Sequence, residues 1–249
     1  MRSVFIIIFG ICSFTLMGQE AFSYLTSLEL GNADACKIEG VESEPKIHFD
    51  PNKVRIVNKE VQYLETHNPL RDELRDTDIL VLYFNPPENP NKELALLFSW
   101  GPSCDPHFYV FDSENDSIGR NFMGGTELFM PQNDKFYTVG RYNAPFTIRK
   151  KFVLLENYKT VEIEPEFYHL GLQTETLRSI KLYTDRQMNT EIAALPPNYK
   201  IEVVLAYKKD NLSEFYYLIK TQLGLLGWAN IETGYFEAID VKGIFWIGD

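Results

Sequence analysis

Turn signals recur about every ten residues from Asp78 onward, separating short runs of β-branched and aromatic residues. That spacing argues for an antiparallel sandwich or barrel. Ile79-Leu-Val-Leu-Tyr-Phe84 is a continuous apolar run, the pattern of a strand covered on both faces. The loop Asn85-Pro-Pro-Glu-Asn-Pro-Asn91 follows, where prolines withdraw backbone donors and stiffen the path. Leu94 to Trp100, His107 to Phe111 and Thr126 to Met130 read as further strands. They are parted by Gly101-Pro102, by a polar turn from Asp112 to Gly119, and by Gly124-Gly125. Lys135 to Tyr142 and Phe146 to Leu155 form a hairpin around Asn143-Ala-Pro145. Val161 to Tyr168 closes the series, with Val161, Ile163 and Pro165 alternating against Glu162, Glu164 and Glu166. Nearer the start, Ser23 to Leu30 and Val54 to Val57 have strand character. Asn68-Pro69 predicts a short helix ending near Asp76, with Asn as cap and Pro in the first turn. The chain has 249 residues and is 45% hydrophobic and 14% aromatic, enough for one large or two small domains rich in β-structure.

The first eighteen residues read as a secretory leader. Arg2 gives a positive start, Val4 to Met17 is mostly apolar and too short to span a bilayer comfortably, and Gly18 is a cleavage position that leaves Gln19 first. An uncleaved anchor is the rival reading. After cleavage no membrane span is expected, and the protein is periplasmic or extracellular. Loss of Arg2 takes the formal charge from −11 to −12. So acidic a chain repels phosphate backbones, which argues against nucleic acid as a partner. Cys36 and Cys104 remain, and an oxidising compartment allows a disulfide between them or leaves two buried thiols.

Phe215-Tyr-Tyr-Leu-Ile-Lys-Thr221 alternates with the period of a pleated strand, and Gly224 and Gly227 bracket the turn that follows. With its neighbours this stretch resembles a bacterial SH3-like domain over residues 178 to about 236. Ser179-Ile-Lys-Leu-Tyr183 resembles the family's first strand, Glu191-Ile-Ala-Ala-Leu-Pro-Pro197 the segment before a turn, and Tyr199-Lys-Ile-Glu-Val-Val-Leu-Ala206 the next strand. Gly224-Leu-Leu-Gly-Trp-Ala229 resembles the Gly-x-x-Gly-Trp signature. Asn198 stands where Gly is usual, and Asn tolerates left-handed φ. Tyr183 stands where a basic residue is common. The resemblance implies a small β-barrel that binds cell-wall or surface material without catalysing a reaction.

The expected architecture is therefore all-β. A leader at 1–18 precedes a β-sandwich-like domain at 22–172, a short polar joint at Gly171 to Arg178, and an SH3-like barrel at 178–249. The strand-like tail from Tyr235 to Asp249 extends one of the two domains.

Aromatic side chains are the leading functional candidates. Tyr183, Tyr207, Tyr216 and Trp228 fall where they could line a groove on the small barrel, and flat aromatic faces suit sugar rings and peptide stems. Trp228 and one face of the 215–221 strand could equally be core. Asp185 and Glu191 lie close by in sequence. Cys104-Asp-Pro-His107 invites comparison with an activated cysteine nucleophile, yet no flanking hydrolase motif accompanies it. The four histidines, His48, His67, His107 and His169, show no zinc-site spacing. Asp112-Ser-Glu-Asn-Asp116 lacks the glycine and distal glutamate of a calcium loop. No cofactor is expected. The sequence favours a non-enzymatic binding or adaptor protein of the cell envelope, with wall glycan, peptide or an envelope protein as partner. A hydrolase with its site near Cys104 and a structural subunit of a surface assembly are the alternatives.

Overall fold

Phe136 and Thr138 point inward from one strand while Lys135, Tyr137 and Val139 stand outward, and this two-residue period governs much of the chain. The computed structural model describes residues 22–30, 44–57, 78–101, 105–112, 122–141, 144–209, 215–232 and 239–244, which form seventeen strands and no helix. The protein is all-β. The expected leader, the helix expected from Asn68, and Cys36 and Cys104, between which a disulfide is one reading, lie outside the described residues.

The strands make three sheets. The first runs β1 (Thr26–Glu29), β2 (Lys46–Phe49), β8 (Glu127–Gln132), β9 (Lys135–Gly140), β10 (Ile148–Leu154) and β11 (Thr160–Ile163). Only β2 and β8 pair parallel within it. The second runs β3 (Val54–Ile56), β4 (Asp78–Phe84), β5 (Leu94–Ser99), β6 (His107–Phe111) and β7 (Met123–Gly124). The two sheets share one core, with Ile47, Phe49, Leu128 and Phe136 from the first against Leu82, Phe84, Phe98 and Phe108 from the second. The second sheet is buried on its other face too, through Leu80, Ala95, Leu97, Tyr109 and Phe111. The uninterrupted apolar run at 79–84 thus meets the two-sided cover it predicts.

One local expectation changes. Asp112 is not solvated, because its carboxylate is buried 2.5 Å from Lys92 Nζ, and the rest of the turn expected from it lies outside the described residues. A buried carboxylate needs such a counter-charge. On β11 the apolar residues face outward, with Val161 42% and Ile163 46% exposed. Glu162 turns inward instead and meets Lys150 Nζ at 3.0 Å. Lys150 is the polar group on the inner face of β10, and its need for a partner decides which way β11 points.

The third sheet runs β12 (Tyr168–Glu175), β15 (Lys200–Lys208), β16 (Phe215–Thr221), β17 (Leu226–Asn230), β13 (Ile180–Tyr183) and β14 (Glu191–Leu195). Most of the segment expected as a polar joint is therefore strand β12, paired along β15 with a bulge between His169 and Leu172. Polar composition misleads here because the outer side of β12 is at the surface. The order also dictates shape. β14 leads into β15 through residues 196–199 alone, yet the two are four places apart in the sheet. In a flat sheet that gap is about 19 Å, while five fully extended residues reach at most about 18 Å. Asn198 has φ of 62°, so the connection turns and is far from extended. The sheet must curl, and its concave side encloses Leu182, Val203, Tyr217, Ile219 and Ala229. The tail joins it as well. Val241 bridges Thr176, and Val241 and Ile244 are buried in this second core.

The turn between β16 and β17 explains both of its glycines. Gly224 takes φ of 83°, and a Cβ on Gly227 would lie 2.8 Å from Leu182 Cβ and 3.0 Å from Ile192 Cδ1. Substitution Gly227→Ala forces β17 away from β13 and is expected to cost about 1–3 kcal/mol, as over-packing does. Chemical denaturation checks this, and an unchanged midpoint would show that β13 yields without penalty.

Candidate ligand-binding face

Residues on the convex side of the third sheet alternate with the buried set, so the same period that fills the core pushes Tyr207, Tyr216, Leu218 and Trp228 outward. Register then makes them neighbours. Tyr207 pairs with Tyr216, Leu218 with Trp228, and Trp228 with Tyr183. All four aromatic residues singled out in the sequence are half-buried on one face, and none is core.

Two further side chains complete the face. Phe167, just before β12, stands 5.7 Å from the Tyr207 ring and 6.4 Å from Trp228. Arg186, in the turn after β13, lays its guanidinium 4.0 Å over Tyr207, 5.7 Å from Phe167 and 5.9 Å from Trp228. The local sequence carries no signal for either, since both reach the platform through strand order. Arg186 is held mainly by ring faces. Its Nη1 makes no hydrogen bond among the described residues, and Glu166 Oε1 lies 3.8 Å away. Lys209 Nζ sits 4.4 Å over Tyr216 and donates to Asn230 Oδ1 at 3.1 Å. A cation over a ring contributes roughly 0.5–1 kcal/mol at an exposed position and about 2 kcal/mol or more where it is desolvated, as Nη1 of Arg186 is.

The other sequence candidates do not gather. Asp185 caps its own turn, where Thr184 Oγ1 donates to Oδ2 at 3.3 Å, and Glu191 pairs with Lys181 Nζ at 2.8 Å. That contact raises the Lys181 pKa through its hydrogen bond to Glu191. His48, His107 and His169 lie on three different sheets. Among the described residues no group of three or more His, Cys, Asp and Glu comes together. His107 is buried, and its Nδ1–H donates to the Asp105 carbonyl at 2.7 Å, which fixes the proton on that nitrogen. One constellation that sequence reading misses is Ser27 Oγ, 2.7 Å from His48 Nδ1, with His48 Nε2 3.9 Å from Glu127 Oε2. Ser27 is exposed on the edge strand β1. The contact pins that edge to β2.

No family model, curated protein or solved structure matches this chain.

Beneath the platform the concave side is also aromatic at one end, where Phe146 meets Phe215 at 5.2 Å and Tyr168 at 6.5 Å. Burial pushes the Tyr168 hydroxyl up to about 12, with Glu162 and Glu164 adding to the effect. Burial raises Tyr217 as well. A tyrosine whose folded pKa lies above its ordinary value stabilises the fold fully below pH 10, and that stability is lost as pH rises toward 12. Tyr168→Phe should remove on the order of 2 kcal/mol of the alkaline loss between pH 10 and 12. Urea midpoints across that range test this, and parallel curves for the parent and variant would refute it.

Proposed function

We propose that the chain is an exported, non-enzymatic binding protein of the cell envelope whose SH3-like C-terminal module engages wall glycan or peptide through the aromatic face. The observation that carries this reading is the joining of Tyr183, Tyr207, Tyr216 and Trp228 on one half-exposed surface beside Arg186. Rings gathered in this way offer apolar contact, with phenol and indole groups to bond to hydroxyls and amides. The apolar stretch behind Arg2 supports export. The curl of the third sheet and the fit of Gly224, Gly227 and Asn198 to their positions support the SH3-like assignment.

The test is co-sedimentation of the chain from Gln19 onward with purified cell-wall sacculi, beside Trp228→Ala and Tyr207→Ala variants whose folding is confirmed by circular dichroism. The expected result is binding by the parent, weakened about tenfold or more in both variants, as loss of an aromatic anchor does. Absence of parent binding would discard wall material as the ligand.

A second reading, a structural subunit of a surface assembly, draws on β11. Among the described residues β11 is the last strand of its sheet, and it exposes Val161 and Ile163. Under that reading the protein elutes as an oligomer at micromolar concentration and becomes monomeric when Val161 and Ile163 are changed to Lys. Elution of the parent as a monomer would dismiss it.

A further inference from the structure

The turn joining β16 to β17 is built against the usual chemistry of turns. Thr221-Gln-Leu-Gly-Leu-Leu226 reverses the chain with three leucines, where polar residues are the rule. Leu223 is 91% exposed, Leu226 50% and Leu225 41%. Nothing lies within 4 Å of the position a Cβ on Gly224 would occupy, so the turn projects clear of the body. It is also firmly made. Gly224 N–H donates to the Thr221 carbonyl at 2.9 Å, Thr221 N–H to the Leu225 carbonyl at 2.9 Å, and Leu225 N–H to Thr221 Oγ1 at 3.1 Å. The leucines are thus held outward on a rigid hairpin end. That end is opposite the Phe215 end of β16, which packs against Phe146.

Immediately behind the tip the surface turns basic. A groove of about 670 Å³ includes Lys200, Lys220 and Lys242 in its walls, with Glu175 and Glu202 as the acidic residues. Register brings them together. Lys220 pairs with Leu226, Ile201 with Thr221, and Glu175 with Lys200, while Lys242 N–H donates to the Glu175 carbonyl. Glu202 and Glu175 form ion pairs with Lys220 and Lys242 at 3.5 and 3.7 Å, exposed pairs that water screens. Three lysines against two glutamates leave this end positive on a chain whose formal charge is −11.

We infer that the Leu223–Leu226 tip inserts into an anionic lipid surface, with Lys200, Lys220 and Lys242 resting on the headgroups. Shape and charge select this occupant. A stable protein interface takes about 800 Å² and 20–30 residues from each partner, whereas the apolar area here is one convex turn. A convex apolar point backed by cations fits the boundary between headgroups and acyl chains, where leucines leave water and lysine ammonium groups stay in it. Among the described residues no helix is long and apolar enough to cross a membrane, so contact through this tip is peripheral. The inference goes beyond the aromatic face, which lies farther back along β15 to β17.

The test is sedimentation of the chain from Gln19 onward with vesicles of equal phosphatidylglycerol and phosphatidylcholine, and with phosphatidylcholine alone. This start point removes the apolar leader stretch, which would itself partition. The variants are Leu223→Ser with Leu226→Ser, and Lys200→Gln with Lys220→Gln and Lys242→Gln. Exposure of both leucines keeps the first variant folded, and circular dichroism confirms it. The expected result is parent binding to the mixed vesicles, reduced about tenfold or more by the serine pair. The glutamine triple should weaken binding and flatten its dependence on salt. Failure of the parent to bind mixed vesicles would overturn the inference. So would binding that survives the serine pair, or binding equally tight to phosphatidylcholine alone.

Discussion

Strand β10 belongs to two cores at once, and the rest of the molecule depends on it. Ile148, Lys150, Phe152 and Leu154 share one face by parity. Phe152 and Leu154 fill the core between the first two sheets, while Ile148, with Ala144 and Phe146 ahead of it, fills the core of the curled third sheet. Lys150 stands between, bonded to Glu162 on the neighbouring strand. The strand thus reads apolar, charged, apolar, and the ion pair divides one hydrophobic region from the next. A part-buried pair of this kind contributes little net stability, since desolvation offsets attraction, but removal of either member leaves the other without its counter-charge. Its effect is to fix where one core ends. Arg141 reinforces the seam by donating to the Gly243 carbonyl at 3.4 Å, and burial lowers its pKa.

Because Phe146 enters the third sheet from the sandwich side, the concave space there is divided by size. Rings gather at that end, where Tyr168, Phe215 and Tyr217 surround Phe146. Toward the β16–β17 turn the interior side chains are the smaller Leu182, Val203 and Ile219. Gly227 has no space for even a methyl group beside Leu182. A tightly coiled sheet has less room inside than outside, so the largest side chains of β13, β15 and β17 have nowhere to go but the convex face.

What the sequence discloses follows from how local each cause is. Alternation in 215–221 is a property of one strand, and it separates Phe215, Tyr217 and Ile219 from Tyr216, Leu218 and Lys220 as the fold does. The fitness of Asn198 for left-handed φ is equally local. Parity does not say which face is inside, however, and on β11 the answer came from Lys150 on another strand. The pairing of β12 with β15 depends on the order of a whole sheet, so 171–178 carried only its polar surface composition. Tyr183, Tyr207, Tyr216 and Trp228 were legible as a group because aromatic residues at strand positions declare themselves. Phe167 and Arg186 were not, since a ring or a cation in a loop acquires meaning only from what the topology sets beneath it.

Rings forced onto a convex face face a choice set by physical chemistry. Left bare they carry apolar surface into water, and buried by a further element they would cease to be available. Here the cover is intermediate. Phe167 shields one side, and the Arg186 guanidinium stacks on Tyr207 with its Nη1 unbonded and its carboxylate neighbour 3.8 Å away. A guanidinium is weakly hydrated and planar, so it masks a ring at low desolvation cost. A leucine or phenylalanine in place of Arg186 would cover the rings more stably but would leave only by exposing its own apolar surface. The cover given by Phe167 and Arg186 thus leaves the rings of the convex face part-shielded from water, the state that strand parity and sheet order impose on them.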